Sequence, residues 1–119
     1  MKVIIIILFT FSMNSFAGFG SRAATNVEVI DKIDIQILAG ETYYYFKPED
    51  GNWSSSNCPK AGAAYMKHST QGASAILSVA LSAKVAKIPV QFQGVCGNGI
   101  DGGTSDSYLY IDFLTLDPI

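Results

Sequence analysis

Residues 26–38 read NVEVIDKIDIQIL, with Val27, Val29, Ile33, Ile35 and Ile37 at one parity and Glu28, Lys32, Asp34 and Gln36 at the other. Alternation of period two is the mark of a strand that buries one face. Asp31 interrupts the apolar parity and Ile30 the polar one, so a bulge or bend is expected near the middle. A tight turn around Gly40 (residues 39–41) leads into TYYYFK, residues 42–47, whose aromatic richness predicts the second strand of a hairpin. Residues 48–60, PEDGNWSSSNCPK, carry nearly every turn-forming residue type and predict a surface loop. A short third strand is expected at AAYMKH, residues 63–68.

The period then changes. In residues 69–87 Ile76, Val79, Ala80 and Ala83 fall at helical spacing, with Leu77, Leu81 and Val85 on the adjoining stripe. Ser69 or Thr70 is the expected cap, Lys84 and Lys87 suit the negative end of the helix dipole, and Pro89 stops the helix. IPVQFQGVC (88–96) and YLYIDFLTL (108–116) predict two further strands, separated by the glycine-rich loop at 97–107. Residues 18–25, GFGSRAAT, show no period and are expected to form a loosely docked leader to a single domain spanning 18–119. The expected fold is therefore mainly β with one helix, in the order strand, strand, strand, helix, strand, strand. That is the element order of the five-stranded OB-fold, a small partly open barrel whose helix would plug one end.

The chain opens with Lys2, an apolar run from Val3 to Phe11 interrupted only by Thr10, and small residues at Ser15 and Ala17. This is the order of a secretory signal peptide, residues 1–17, cut between Ala17 and Gly18. The alternative, a membrane anchor, needs roughly 20 apolar residues, and the run is about half that. What remains is roughly 100 residues, one compact domain. With a formal net charge of −2 and Arg22 as the only arginine, no basic patch exists to neutralise phosphates, so nucleic acid is not an expected partner. No second stretch approaches membrane-spanning length, and the expected location is secreted or periplasmic.

Export decides how the two cysteines read. Cys58 and Cys96 form an even pair in a small domain bound for an oxidising compartment, which predicts one disulfide. Closing a loop of that length stabilises the fold by roughly 3–4 kcal/mol in the loop-closure treatment. A metal pair or catalytic thiol is the competing reading. It is weakened by the lack of a CxxC spacing and by the presence of a single histidine.

Three stretches, VIDKIDIQILAGETYYYF, NCPKAGAAYMKH and AKIPVQFQGVC, together resemble small exported bacterial domains related to the B subunits of AB5 toxins. The likeness spans nearly all of the mature chain and is most specific in its Cys, strand, helix, strand, Cys arrangement. It implies an OB-fold, a homo-oligomeric ring of five, recognition of a host glycan, and a separate catalytic A subunit as a candidate partner. No sugar-contacting motif of that family maps onto particular residues here.

Candidate chemistry is sparse. His68 is the sole histidine, and Ser69 beside it does not by itself make a nucleophile–base pair. No GxSxG, HExxH or phosphate-loop motif is present, so no enzymatic activity and no cofactor are expected. Asn98, Asp101 and Asp106 offer hard oxygen ligands, but their spacing fits no calcium loop, and the segment reads as a plain loop. The aromatic residues carry more. Because side chains alternate, Tyr43 and Tyr45 share one face of their strand while Tyr44 and Phe46 take the other. One face must present rings to solvent or to a partner, a chemistry that suits sugars and protein interfaces alike. The expected ligand-binding residues are Tyr43, Tyr45, Asn52 and Trp53, with a structural or protein-interaction module without sugar binding as the alternative.

Overall fold

The computed structural model describes residues 20–97 and 106–116. The expected signal segment, and Asn98 and Asp101 of the glycine-rich loop, lie outside the described residues. The elements are β1 (Arg22–Ala24), β2 (Ile30–Leu38), β3 (Glu41–Pro48), β4 (Ala63–Lys67), α1 (Ala73–Ala86), β5 (Val90–Cys96) and β6 (Tyr108–Leu116). The strands form one sheet in the order β1-β5-β6-β4-β3-β2, antiparallel throughout except for the parallel pair β4–β6. No helix among the described residues is long and apolar enough to cross a membrane.

Two expectations are corrected. The sheet has six strands rather than five, because part of the expected leader forms β1 along β5, pairing Arg22 with Val95 and Ala24 with Gln93. Three residues are too few to show a period, so tertiary pairing alone reveals this strand. Nor is the sheet a closed barrel. Its two ends, β1 and β2, meet only through the connecting chain, where Glu28 exchanges both backbone hydrogen bonds with Val90 at 3.0 and 2.9 Å.

The expected bulge is present. The β2–β3 register shifts between Ile30 and Lys32, which turns Ile30 into the core at 1% exposure. Adding one residue reverses the parity, so Val27 and Val29 lie outside the buried face that simple alternation assigned to them, at 44% and 38% exposure. The hairpin turns on Ala39 and Gly40, both at positive φ (52° and 80°), the conformation that matches a two-residue turn to strand twist.

Helix α1 begins later than expected. Gly72 stands at its N-cap with no side-chain bond, while the Ser69 hydroxyl goes instead to the Glu41 carboxylate at 2.9 Å. Its end follows the pattern: Lys84 lies in the last turn, and Lys87 closes the helix in the left-handed conformation. There the Ile88 N–H reaches Ala83 O and the Lys87 N–H reaches Lys84 O. The helix buries alanines, Ala73, Ala80 and Ala83, while Val79, Leu81 and Val85 remain exposed. Small residues on the buried side let the helix backbone approach the sheet, where Phe46 stacks on Phe92 with ring centroids 5.3 Å apart. Cys58 and Cys96 form the expected disulfide, Cα atoms 5.4 Å apart, tying the loop before β4 to the end of β5.

Candidate functional site

Alternation sends Tyr44 and Phe46 of β3 into the core and Tyr43 and Tyr45 to the opposite face. The sheet register then extends that face. Asp34 lies opposite Tyr45, Tyr45 opposite Tyr65, and Tyr65 opposite Tyr110, a single row across β2, β3, β4 and β6. Tyr108, two residues from Tyr110 on β6, points to the same side and pairs in register with Ala63. Five of the six tyrosines thus share the sheet face opposite Tyr44 and Phe46, with Tyr110 also packed against the core cluster.

The rings pack in order. Tyr65 lies at the centre, stacked on Tyr110 at 5.0 Å and on Tyr45 at 5.9 Å, with Tyr108 meeting its edge at 5.8 Å. Tyr65 is fully buried, and its hydroxyl has no hydrogen-bond partner among the described residues. Burial, reinforced by the neighbouring phenols, pushes its ionisation far above the usual tyrosine range. Two rings of this stack, Tyr45 and Tyr108, line a cleft.

The cleft has a volume of about 560 Å³. Tyr45 and Tyr108, ring centroids 6.0 Å apart and tilted by 54°, border it, and Ala63 contributes only a methyl group to the surface between. The other border is polar. The Lys47 ammonium holds the Asp34 carboxylate at 2.8 Å, and the Tyr45 hydroxyl donates to Gln36 Oε1 at 2.7 Å. The hydrogen bond from Lys47 is the main reason the Asp34 carboxyl ionises below its ordinary range. The cleft therefore combines flat aromatic area with a carboxylate, an amide and an ammonium, all within one concavity of ligand size.

Of the four expected binding residues, Tyr45 alone lines this cleft. Tyr43 belongs to the same face but is covered to 5% exposure between Gln36 and Lys67. Asn52 is spent on its own loop, where Nδ2 donates to Pro59 O at 3.1 Å and Oδ1 accepts the Ser54 N–H. Trp53, expected as a ligand-binding residue, does not reach the surface. It is fully buried, its indole N–H donates to Phe46 O at 2.9 Å, and its ring meets Phe92 edge-on.

Sequence reasoning missed Tyr65, Tyr108 and Tyr110. Their parity within AAYMK and YLYID was readable, but which strands neighbour β3 was not. His68 receives or donates a hydrogen bond at Nδ1 with the Tyr44 hydroxyl, and Ser69 is bound to Glu41 rather than to that imidazole. The disulfide lies against the backbone at the start of β6, with Cys58 Sγ 3.6 Å from the carbonyl oxygens of Asp106 and Tyr108. It so anchors the start of β6 from which Tyr108 projects. Comparisons of the chain with protein-family models, with curated proteins and with solved structures find no match.

Proposed function

We propose that this chain is an exported domain that holds a carbohydrate against the tyrosine face of its sheet, and that it works by binding rather than by catalysis. The observation that carries this reading is the cleft in which Tyr45 and Tyr108 stand opposite Asp34, Gln36 and Lys47. A pyranose ring has apolar C–H faces and a hydroxyl rim. It therefore needs rigid aromatic area next to hydrogen-bonding groups, and tyrosine supplies both at small entropic cost.

Three further parts of the reading rest on separate observations. The parallel β4–β6 pair, the helix between β4 and β5 and the Glu28–Val90 bridge support a partly open barrel of the OB type, with β1 an added strand. The disulfide and the signal-like N-terminal segment support an extracellular or periplasmic location. Unpaired strand edges support assembly with further copies. In the strand ladder, residues 33–38 of β2 pair only with β3, and residues 112–116 of β6 only with β5, among the described residues. Ile35 and Ile37, at 61% and 76% exposure, lie along the first edge, and Phe113 and Leu116 along the second. Edge-to-edge contact between successive copies is a heterologous interface, which closes into a ring when the rotation permits. A ring of five with a separate catalytic subunit is the arrangement that the toxin-B likeness implies.

The test is an immobilised glycan array probed with the purified mature protein, the Tyr45→Ala variant and the Tyr108→Ala variant. Selective glycan binding that falls at least tenfold in both variants, with folding intact by circular dichroism, is expected. A blank array for the folded wild type would sink the sugar reading. It would leave the second one, a protein-interaction module, which the exposed isoleucines of β2 favour.

A further inference from the structure

The charges around the cleft select among sugars. Among the described residues, two charged side chains line it, Asp34 and Lys47, and they are bonded to one another at 2.8 Å. The remaining polar lining groups are neutral. Arg22, the only guanidinium of the chain, is committed to Asp112 by two bonds of 2.7 Å, and Asp112 lies outside the cleft. Lys67, on the same face, lines no part of it and sits opposite the covered Tyr43, while the exposed Lys32, opposite Lys47 in register, lies outside the lining and acts electrostatically on the Asp34 carboxylate. A ligand carboxylate or sulfate would need an ammonium or guanidinium free to meet it, and would face the Asp34 carboxylate as a like charge.

Resting on the carbohydrate reading above, we infer that the cleft takes a neutral pyranose, with the apolar face of the ring against Tyr45 and Tyr108 and adjacent hydroxyls bridging the Asp34–Lys47 pair. A carboxylate accepts two hydroxyl donors side by side, and an ammonium donates to a hydroxyl oxygen, so an intact ion pair reads a diol without any net charge on the sugar. Gln36, whose oxygen is engaged by Tyr45, presents its NH₂ group as a further donor. Because the Asp34 carboxyl ionises below its ordinary range, this arrangement persists into mildly acidic solution. Ala63 lines the cleft opposite Tyr108 in register, so a longer side chain at that position would project into it.

The experiment compares lactose with 3′-sialyllactose as soluble probes, and neutral with sialylated glycans on the array, at 50 and 500 mM NaCl. Binding of the neutral probes only, changing less than twofold with salt, is the expected result, because no net charge is neutralised on binding. Asp34→Ala releases Lys47. It is expected to lower neutral-glycan binding at least tenfold and to raise binding of the sialylated probe at low salt. Ala63→Leu should block both. Tyr108→Ala supplies a second, surface test should Ala63→Leu fail to fold. Preferential, salt-sensitive binding of sialylated glycans by the wild type would overturn the neutral class while leaving carbohydrate recognition in place. Absence of binding to every glycan would overturn both.

Discussion

Trp53 and Tyr65 illustrate how a single ring is assigned its role by its surroundings. Trp53 combines full burial, a hydrogen bond from its indole nitrogen and an edge contact with Phe92, so it holds the loop after β3 against the core. Trp53→Ala would leave a cavity and an unpaired Phe46 carbonyl, at an expected loss of about 3–5 kcal/mol in a urea titration. A loss below about 1 kcal/mol would show that the ring does not pack as described. Tyr65 is the reverse case. Its ring is the centre of the tyrosine stack, but its buried hydroxyl has no partner among the described residues. Tyr65→Phe should therefore leave stability unchanged or raise it by up to about 1 kcal/mol, because an orphan hydroxyl carries a desolvation cost that phenylalanine avoids. A clear destabilisation would reveal a partner for that oxygen. Gly94 has its own constraint, since a Cβ there would lie 2.0 Å from the Tyr110 carbonyl oxygen, where β5 and β6 shift register.

At the scale of elements, the disulfide and the short strand β1 both secure segments that have little core of their own. The bridge spans a sequence separation of 38 and encloses β4, α1 and β5. Replacing both cysteines with serine should lower stability by about 3–4 kcal/mol through the added freedom of the unfolded chain. The same change should weaken glycan binding, because the bridge sits beside the start of β6 and hence Tyr108. Intact stability in the double variant would remove that role. Strand β1 is held at its outer end by Arg22 on Asp112 of β6. The bond from Arg22 is the leading cause that holds the Asp112 carboxyl below its ordinary value. A depressed carboxylate contributes stability that is present above its unfolded pKa and lost as pH falls through its folded pKa. Asp112→Asn should therefore flatten the acid limb of the stability-against-pH curve and leave the neutral-to-alkaline region nearly parallel to wild type. Both partners are more than half exposed, so the effect should shrink with added salt.

At the scale of the molecule, the open sheet leaves unpaired stretches along β2 and β6 among the described residues, and a helix with exposed apolar side chains. Val85 is 83% exposed and Leu81 46%. Isolated apolar side chains on a surface are ordinary, but a strand edge lined with isoleucines is an invitation to pairing. Light scattering on the mature protein under non-reducing conditions should report a multiple of the protomer mass, five copies if the ring reading holds. Ile37→Asp should release protomers without loss of the fold, since Ile37 is 76% exposed in the single chain. A monomeric wild type at high micromolar concentration would sink the assembly reading and leave the cleft as a site complete in one chain.

By itself the sequence determined the local events. Residue parity marked β2, aromatic richness marked β3, the helical spacing and Pro89 bounded α1, and the clash of Ile30 and Asp31 with the alternating pattern marked the bulge that Ile30 and Lys32 flank. Two cysteines in a chain with an export-like N-terminus were enough to specify their pairing. These features depend on neighbours a few residues apart, or on having only one candidate partner. Tertiary structure decided which strands lie side by side, and so brought Tyr65, Tyr108 and Tyr110 to Tyr45 across four strands. It also turned Trp53 inward and left Ile35 and Ile37 outside the core that their alternation implied. The reason is physical: period two specifies two faces of a strand, but only the packing of other elements against one of them decides which is buried and what stands next to it.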